Sequence, residues 1–200
     1  MVKVPDSLSG LGIERRESSE VDDVAAFIEH LKSGRQFLIE EFITQHPTMA
    51  SLNPSSVNTL RVISYAKEGA VTVLASVLKI GNGGAIDNFS NGGMYTMLDS
   101  HGVALYPAFD GSGSTFAEHP LTGTPIVGFQ VPHYDRVLAL VDEMSRVVPE
   151  VPYVGWDIAV APDGPVVIEG NPNSGVFQAK PSVSGVREGL LPLYRETFGF

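Results

Sequence analysis

Cysteine is absent from the chain. That excludes a disulfide framework, a thiol nucleophile and a cysteine zinc site, and it leaves the redox compartment open. Long apolar runs are also missing: nowhere does the sequence hold the roughly 18 consecutive apolar residues of a bilayer-spanning helix. The opening Met-Val-Lys-Val-Pro-Asp lacks the basic stretch and apolar run of an export signal, so a cytoplasmic chain without membrane insertion is expected. Positive charge is scarce too. With 13 Lys and Arg against 23 Asp and Glu, the net charge of −10 repels nucleic acid at long range, so no nucleic-acid partner is expected. Any phosphate site must be built locally.

What is present is the composition of a folded domain: 43% hydrophobic and 18% charged residues over 200 positions. A short strand near Val2 leads into a Ser/Gly-rich loop, Ser7 to Gly12. From Ser19 the period becomes helical, with Val21, Val24, Ile28 and Leu31 on one stripe and Ser19 and Asp22 spaced as a capping box. Residues 37–43 read as a strand ending in Glu40-Glu41-Phe42-Ile43, followed by a Pro/Ser/Asn loop. Residues 59–66 and 70–78 flank Lys67-Glu68-Gly69 as an antiparallel hairpin. Residues 81–93 form a glycine-rich irregular stretch, and a weaker hairpin surrounds Ser100-His101-Gly102. Tyr134 to Val148 spell an amphipathic helix stopped by Pro149. A closing hairpin then turns at Pro162-Asp163-Gly164, and the tail 186–200 reads as a helix, with Pro192 complicating it. These elements predict an α+β domain with a largely antiparallel sheet and flanking helices.

The closing hairpin carries the chemistry. Asp157 and Glu169 lie on its two strands at positions that can pair, and Asn171 follows Glu169 by two, so it shares that face. Two carboxylates and an amide oxygen form a hard-ligand set suited to Mg²⁺, while the His-poor surroundings of the hairpin argue against zinc. Spacing alone fits a solvated strand face equally well.

Four motifs in order sharpen the reading: Ser56-Val57-Asn58-Thr59-Leu60-Arg61-Val62, Asp87-Asn88-Phe89-Ser90-Asn91-Gly92-Gly93, His119-Pro120-Leu121-Thr122-Gly123, and Gly155-Trp156-Asp157 with its Glu-x-Asn partner strand. Together they resemble the sugar-transfer-associated ATP-grasp family, related to α-L-glutamate ligase-like proteins, from about Val2 to Val176. The resemblance implies an ATP-grasp C-terminal lobe over 37–185 and a remnant of the N-terminal ATP-binding lobe over 1–36, with 186–200 as a helical tail. It implies ATP and Mg²⁺ as cofactors, the metal held by Asp157, Glu169 and Asn171, and Arg61 and Lys79 acting on the transferring phosphoryl group. Lys79 stands where the family more often has arginine, keeping charge but losing the bidentate fork. Glu40, Glu41, Phe42 and Ile43 match the hinge that binds adenine and ribose. Lys3, Gly10 and Gly12 match the lysine and glycine-rich loop over the triphosphate, and Asn88, Gly92 and Gly93 a phosphate-facing loop. His119 is a candidate for either a structural or a direct role, and Trp156 is expected beneath the hairpin on the face opposite Asp157.

The implied activity is ligation of a small-molecule carboxylate to an amine or similar nucleophile through an acyl phosphate, in polysaccharide or cell-surface biosynthesis. The sequence opens almost at the glycine-rich loop, so a missing N-terminal domain or a partner chain is expected. The alternative is therefore an incomplete or non-catalytic nucleotide-binding module. Metal-assisted hydrolysis by the same three ligands is a third possibility.

Overall fold

The computed structural model describes residues 1–5, 14, 16–83, 87, 89 and 92–199. The chain divides into two compact units, Met1–Ile43 and Thr44–Phe200. Residues 37–43 therefore fall in the first unit and the C-terminal tail in the second.

In the first unit, β1 (Val2–Lys3) pairs antiparallel with β2 (Leu38–Ile39), setting Val2 opposite Ile39 and Lys3 opposite Leu38. Only these two residues of the expected strand 37–43 join a sheet. Helix α1 (Val24–Ser33) starts five residues after Ser19, because the Asp23 carboxylate accepts the free N–H groups of Ala25 and Ala26 at 2.9 and 3.1 Å. Ser18–Glu20 make a single 3₁₀ turn instead. Of the predicted apolar stripe, Leu31 is buried, whereas Val24 and Ile28 are exposed.

The second unit is built on a seven-stranded antiparallel sheet. Its strands are β3 (Thr59–Lys67), β4 (Ala70–Ile80), β5 (Met94–Met97), β6 (Ala108–Asp110), β7 (Thr115–Phe116), β8 (Tyr153–Ala161) and β9 (Gly164–Asn171), in the spatial order 7-6-5-4-3-8-9. Both predicted hairpins are present. Strict alternation along β3 and β8 sends Leu60, Val62, Ile158 and Val160 to one face. There they meet Leu78, Ile80 and Met94, together with Val137 and Val141 of α3 (Tyr134–Met144). Each such fully buried side chain contributes about 1.5–3 kcal/mol of transfer free energy. Trp156 packs against this cluster, on the face away from Asp157, and its Nε1–H donates to Ser64 Oγ at 2.9 Å. Helix α3 ends four residues short of Val148, which is half exposed.

On the opposite face, Ile63 and Ala75 pack under Tyr153, Phe177 and the tail helix α5 (Leu191–Phe198). Pro192 lies in the first turn of α5, where it needs no N–H partner, so it starts the helix and does not disturb it. One short helix, α2 (Pro47–Leu52), lies in a stretch read as loop, and a single further turn, α4 (Pro181–Ser184), precedes α5. Strands β6 and β7 occupy a segment rich in Pro, Gly and Ser.

A buried polar lattice fixes the start of β3. Asn58 is fully buried, and its Nδ2 group donates to Gln45 Oε1, Met49 O and Asn53 O at 2.9–3.0 Å, while its Oδ1 accepts Gly81 N–H at 3.1 Å. His119 closes the far side. Its Nδ1 accepts the backbone N–H groups of Leu121 and Thr122 at 3.3 and 3.4 Å, so the proton sits on Nε2, which donates to Gly81 O at 2.8 Å. His119 is 1% exposed, and this lattice gives it a structural role. A Cβ on Gly81 would stand 2.1 Å from Ser56 Oγ and 2.3 Å from Asn53 Nδ2, so glycine is required there.

Candidate active site

The closing hairpin is not regular. Counting from its turn, Ile158 pairs with Val167, which would set Asp157 opposite Ile168. A β-bulge intervenes, and Asp157 pairs with Glu169 and Gly155 with Asn171. Without it, Glu169 would turn to the hydrophobic face, since a one-residue slip inverts a strand. The bulge therefore brings both carboxylates and the amide to one face. Asn171 Nδ2 donates to Glu169 Oε1 at 3.2 Å and to Gly155 O at 3.3 Å, so its Oδ1 accepts no hydrogen bond among the described residues.

Across the sheet, Asp157 is also the register partner of Arg61, and Glu169, Asp157, Arg61 and Val77 form one row. Like charges directly opposite each other are unfavourable, and Arg61 is the cation that compensates here. Its Nε and Nη2 donate to the two Asp157 oxygens at 2.5 and 2.7 Å, a bidentate fork with both side chains mostly buried. A third donor, Nη1, reaches Ser174 Oγ at 3.2 Å. Among the described residues three of its five N–H groups are thereby used, and two remain. Burial by itself would lower the guanidinium's affinity for its proton. The Asp157 hydrogen bonds and the charges of Asp157, Glu169 and Asp87 outweigh that and hold it above its ordinary range.

The neighbouring row adds Lys79. Its register partners are Thr59 on β3 and Tyr95 on β5, and its Nζ lies 3.6 Å from both Asp157 Oδ2 and Asp87 Oδ1. Asp87 is fixed by the Thr59 hydroxyl and by the Thr59 N–H at 2.9 Å. Burial raises its carboxyl above the usual range, although Lys79 and the Thr59 hydrogen bonds oppose the rise. Two cations and two mostly buried carboxylates thus interlock beside the exposed Glu169. Among the described residues no three His, Cys, Asp or Glu side chains gather as a metal cluster. The oxygen set at the hairpin is two carboxylates and an amide, which still fits a hard cation that keeps several waters.

The remaining predicted positions fall as follows. Lys3 forms an ion pair with Glu40 inside the first unit, where Glu41 and Phe42 are exposed and Ile43 is half-buried. Gly92 adopts φ +88° with open space where a side chain would be, and Gly93 is buried. Gly10, Gly12 and Asn88 lie outside the described residues. Three contributors were not anticipated: Asp87 as the anchor of Lys79, Ser174 under Arg61, and Phe177, whose ring centre lies 5.9 Å from Arg61 Cζ. The signal for Ser174 was Gly155, a glycine in mid-strand. Its absent Cβ would lie 2.2 Å from Ser174 Oγ, and such a glycine marks close approach by another segment.

Residues 15–188 match the sugar-transfer associated ATP-grasp family. The chain belongs to that family. The mixed α/β architecture with its large antiparallel sheet agrees with the ATP-grasp fold, and membership carries an ATP-dependent, ligase-like function acting on small molecules. ATP-grasp folds bind ATP and Mg²⁺ in general. Comparison with curated proteins and with solved structures gave no match. No helix among the described residues is long and apolar enough to cross a membrane.

Proposed function

We propose that this chain activates a carboxylate with ATP for ligation to an amine or similar nucleophile, in polysaccharide or cell-surface assembly. The observation that carries the reading is the single sheet row Glu169–Asp157–Arg61, with Lys79 beside it. In the first step an acceptor carboxylate oxygen attacks the γ-phosphorus, the bond to the bridging oxygen breaks, and ADP leaves with the electron pair. The amine then adds to the acyl carbon, inorganic phosphate departs, and the nitrogen gives up its extra proton to solvent.

Arg61 offers its two remaining N–H groups to equatorial phosphoryl oxygens, and Lys79 supplies a point charge. Asp157 orients both cations, and Asp87 holds Lys79 from the other side. Asp157, Glu169 and Asn171 would hold Mg²⁺, which when bound neutralises phosphate charge. Positioning and charge stabilisation carry the rate enhancement, and no covalent enzyme intermediate is needed.

Calorimetric titration with a non-hydrolysable ATP analogue, with and without Mg²⁺, tests the reading. Binding should depend on Mg²⁺ and disappear in Glu169→Ala; equal binding by that variant rejects the metal assignment. A second reading, a nucleotide-binding module completed by another chain, is favoured by the exposed Val24, Ile28, Phe37, Leu38 and Phe42 of the first unit. It predicts Mg-ATP binding without turnover.

A further inference from the structure

Beyond Arg61 the same sheet face changes character. Phe177 stands edge-on to Tyr95 with ring centres 5.3 Å apart, Tyr95 packs on Phe109 at 4.2 Å, and Lys180 Nζ lies 5.0 Å from the Phe109 ring centre. Register explains the order: Lys79, Tyr95 and Phe109 are successive partners across β4, β5 and β6. The strip from Lys79 to Phe109 thus spans two strand spacings, about 10 Å. It starts at one cation, Arg61, crosses aromatic rings, and ends at a second cation.

Two features of the strip are unspent. Phe109 is buried, with Phe89 packed on it and on Tyr95, but Tyr95 and Phe177 are only half-buried, and the Tyr95 hydroxyl makes no hydrogen bond among the described residues. Lys180 is exposed and forms no ion pair among them, and its ammonium stands over the Phe109 ring beside Gly113. In a chain of net charge −10, a cation left unanswered beside exposed aromatic area is a local exception. Aromatic faces take the C–H face of a ring, and a nearby hydroxyl and ammonium take its polar substituents. A wholly apolar ring would bury the Tyr95 hydroxyl without a partner, which is costly, so a ring bearing hydroxyls fits better.

We propose that the half-buried rings of Phe177 and Tyr95, backed by the buried Phe109 and with Lys180 at the far end, bind the acceptor, and that the acceptor is a sugar acid carrying a second anionic group. Its carboxylate lies at Arg61 and Lys79, its ring lies on the aromatic strip, and its second anion meets Lys180. This rests on the ligase reading for the fate of the carboxylate, but the binding surface can be tested separately.

The test is calorimetry on the full chain with three probes: glucuronic acid 1-phosphate, glucuronic acid and glucose 1-phosphate. The non-hydrolysable nucleotide is titrated in parallel. The probe bearing both anions should bind at least tenfold more tightly than either probe lacking one. Lys180→Gln should erase its advantage over glucuronic acid, with nucleotide affinity within twofold of the parent, and Phe177→Ala should weaken all three probes about tenfold. A chain that binds nucleotide but not glucuronic acid 1-phosphate, or a Lys180→Gln variant that binds it unchanged, overturns the proposal. Lys180-dependent sugar binding without nucleotide binding would sustain the strip and reject the ligase reading.

Discussion

Two buried polar assemblies flank the start of β3, and they are closed in different ways. The lattice of Asn58, Gln45, Asn53, Gly81 and His119 is uncharged, and the Asn58 amide and both His119 nitrogens meet a protein partner. The cluster of Arg61, Asp157, Lys79 and Asp87 is charged, keeps two Arg61 N–H groups unused among the described residues, and borders the exposed Glu169. A neutral network that satisfies itself stabilises one conformation. A charged one with open valences costs desolvation and is kept for what binds to it.

Substitutions in the two assemblies should therefore fail in different ways. The largest effect is expected for Asp157→Ala, which removes the partner of both cations. Single-turnover phosphate release should fall about a thousandfold or more, and undiminished release would remove Asp157 from the machinery. Asn58→Ala should leave turnover per folded molecule within twofold but cost about 3 kcal/mol of stability in urea titration, because several buried groups lose their partner at once. A loss of turnover at constant stability there would blur the distinction.

Gly81→Ala and Gly155→Ala make a matched pair, since each new methyl meets a side chain at close to 2 Å: Ser56 Oγ at 2.1 Å and Ser174 Oγ at 2.2 Å. The first should lower the melting temperature with little change in nucleotide affinity. The second should free Ser174 from Arg61 and weaken nucleotide binding about tenfold, read by calorimetry. Were both to behave alike, the two assemblies would be one.

The smallest effect concerns pH. Burial raises the Asp87 carboxyl above its unfolded value, so the folded state holds that proton more tightly. The resulting stabilisation is complete below the unfolded value near 4 and disappears as pH rises through the folded one. Asp87→Asn cannot titrate. The stability difference between parent and variant, followed by urea midpoint, should thus shift toward the variant as pH rises from the unfolded value through the folded one. A difference independent of pH would contradict the assigned cause.

How much of this was legible in the sequence depended on length and period. The two long hairpins alternate over eight or more residues with turn chemistry between them, and they were readable; so was α3, with its apolar stripe. Helix α2 is six residues long, less than two turns, and its Pro47 looks like a loop residue although it occupies the first turn. Strands β6 and β7 have three and two residues, too few to show alternation, and owe their place to pairing with β5. The Asp157–Glu169 pairing was readable as a possibility, but the bulge that makes it was not, because bulges follow from sheet geometry more than from local composition. Ser174, Phe177 and Lys180 reach the site only because the chain folds back after β9. No periodicity announces such a return.

The bulge at Ile168 also bears on how this hairpin can drift. The stretch from Ile158–Val167 to the turn keeps one count of residues and the acidic pair keeps another, with Ile168 as the spare between them. Deleting Ile168 would yield an uninterrupted ladder in which Asp157 still faces Glu169. The hairpin thus carries a tolerance for losing one residue, placed between its turn and its pair of acids. An insertion at the same point has no such cushion, since a second extra residue would turn Glu169 toward Trp156 and the core.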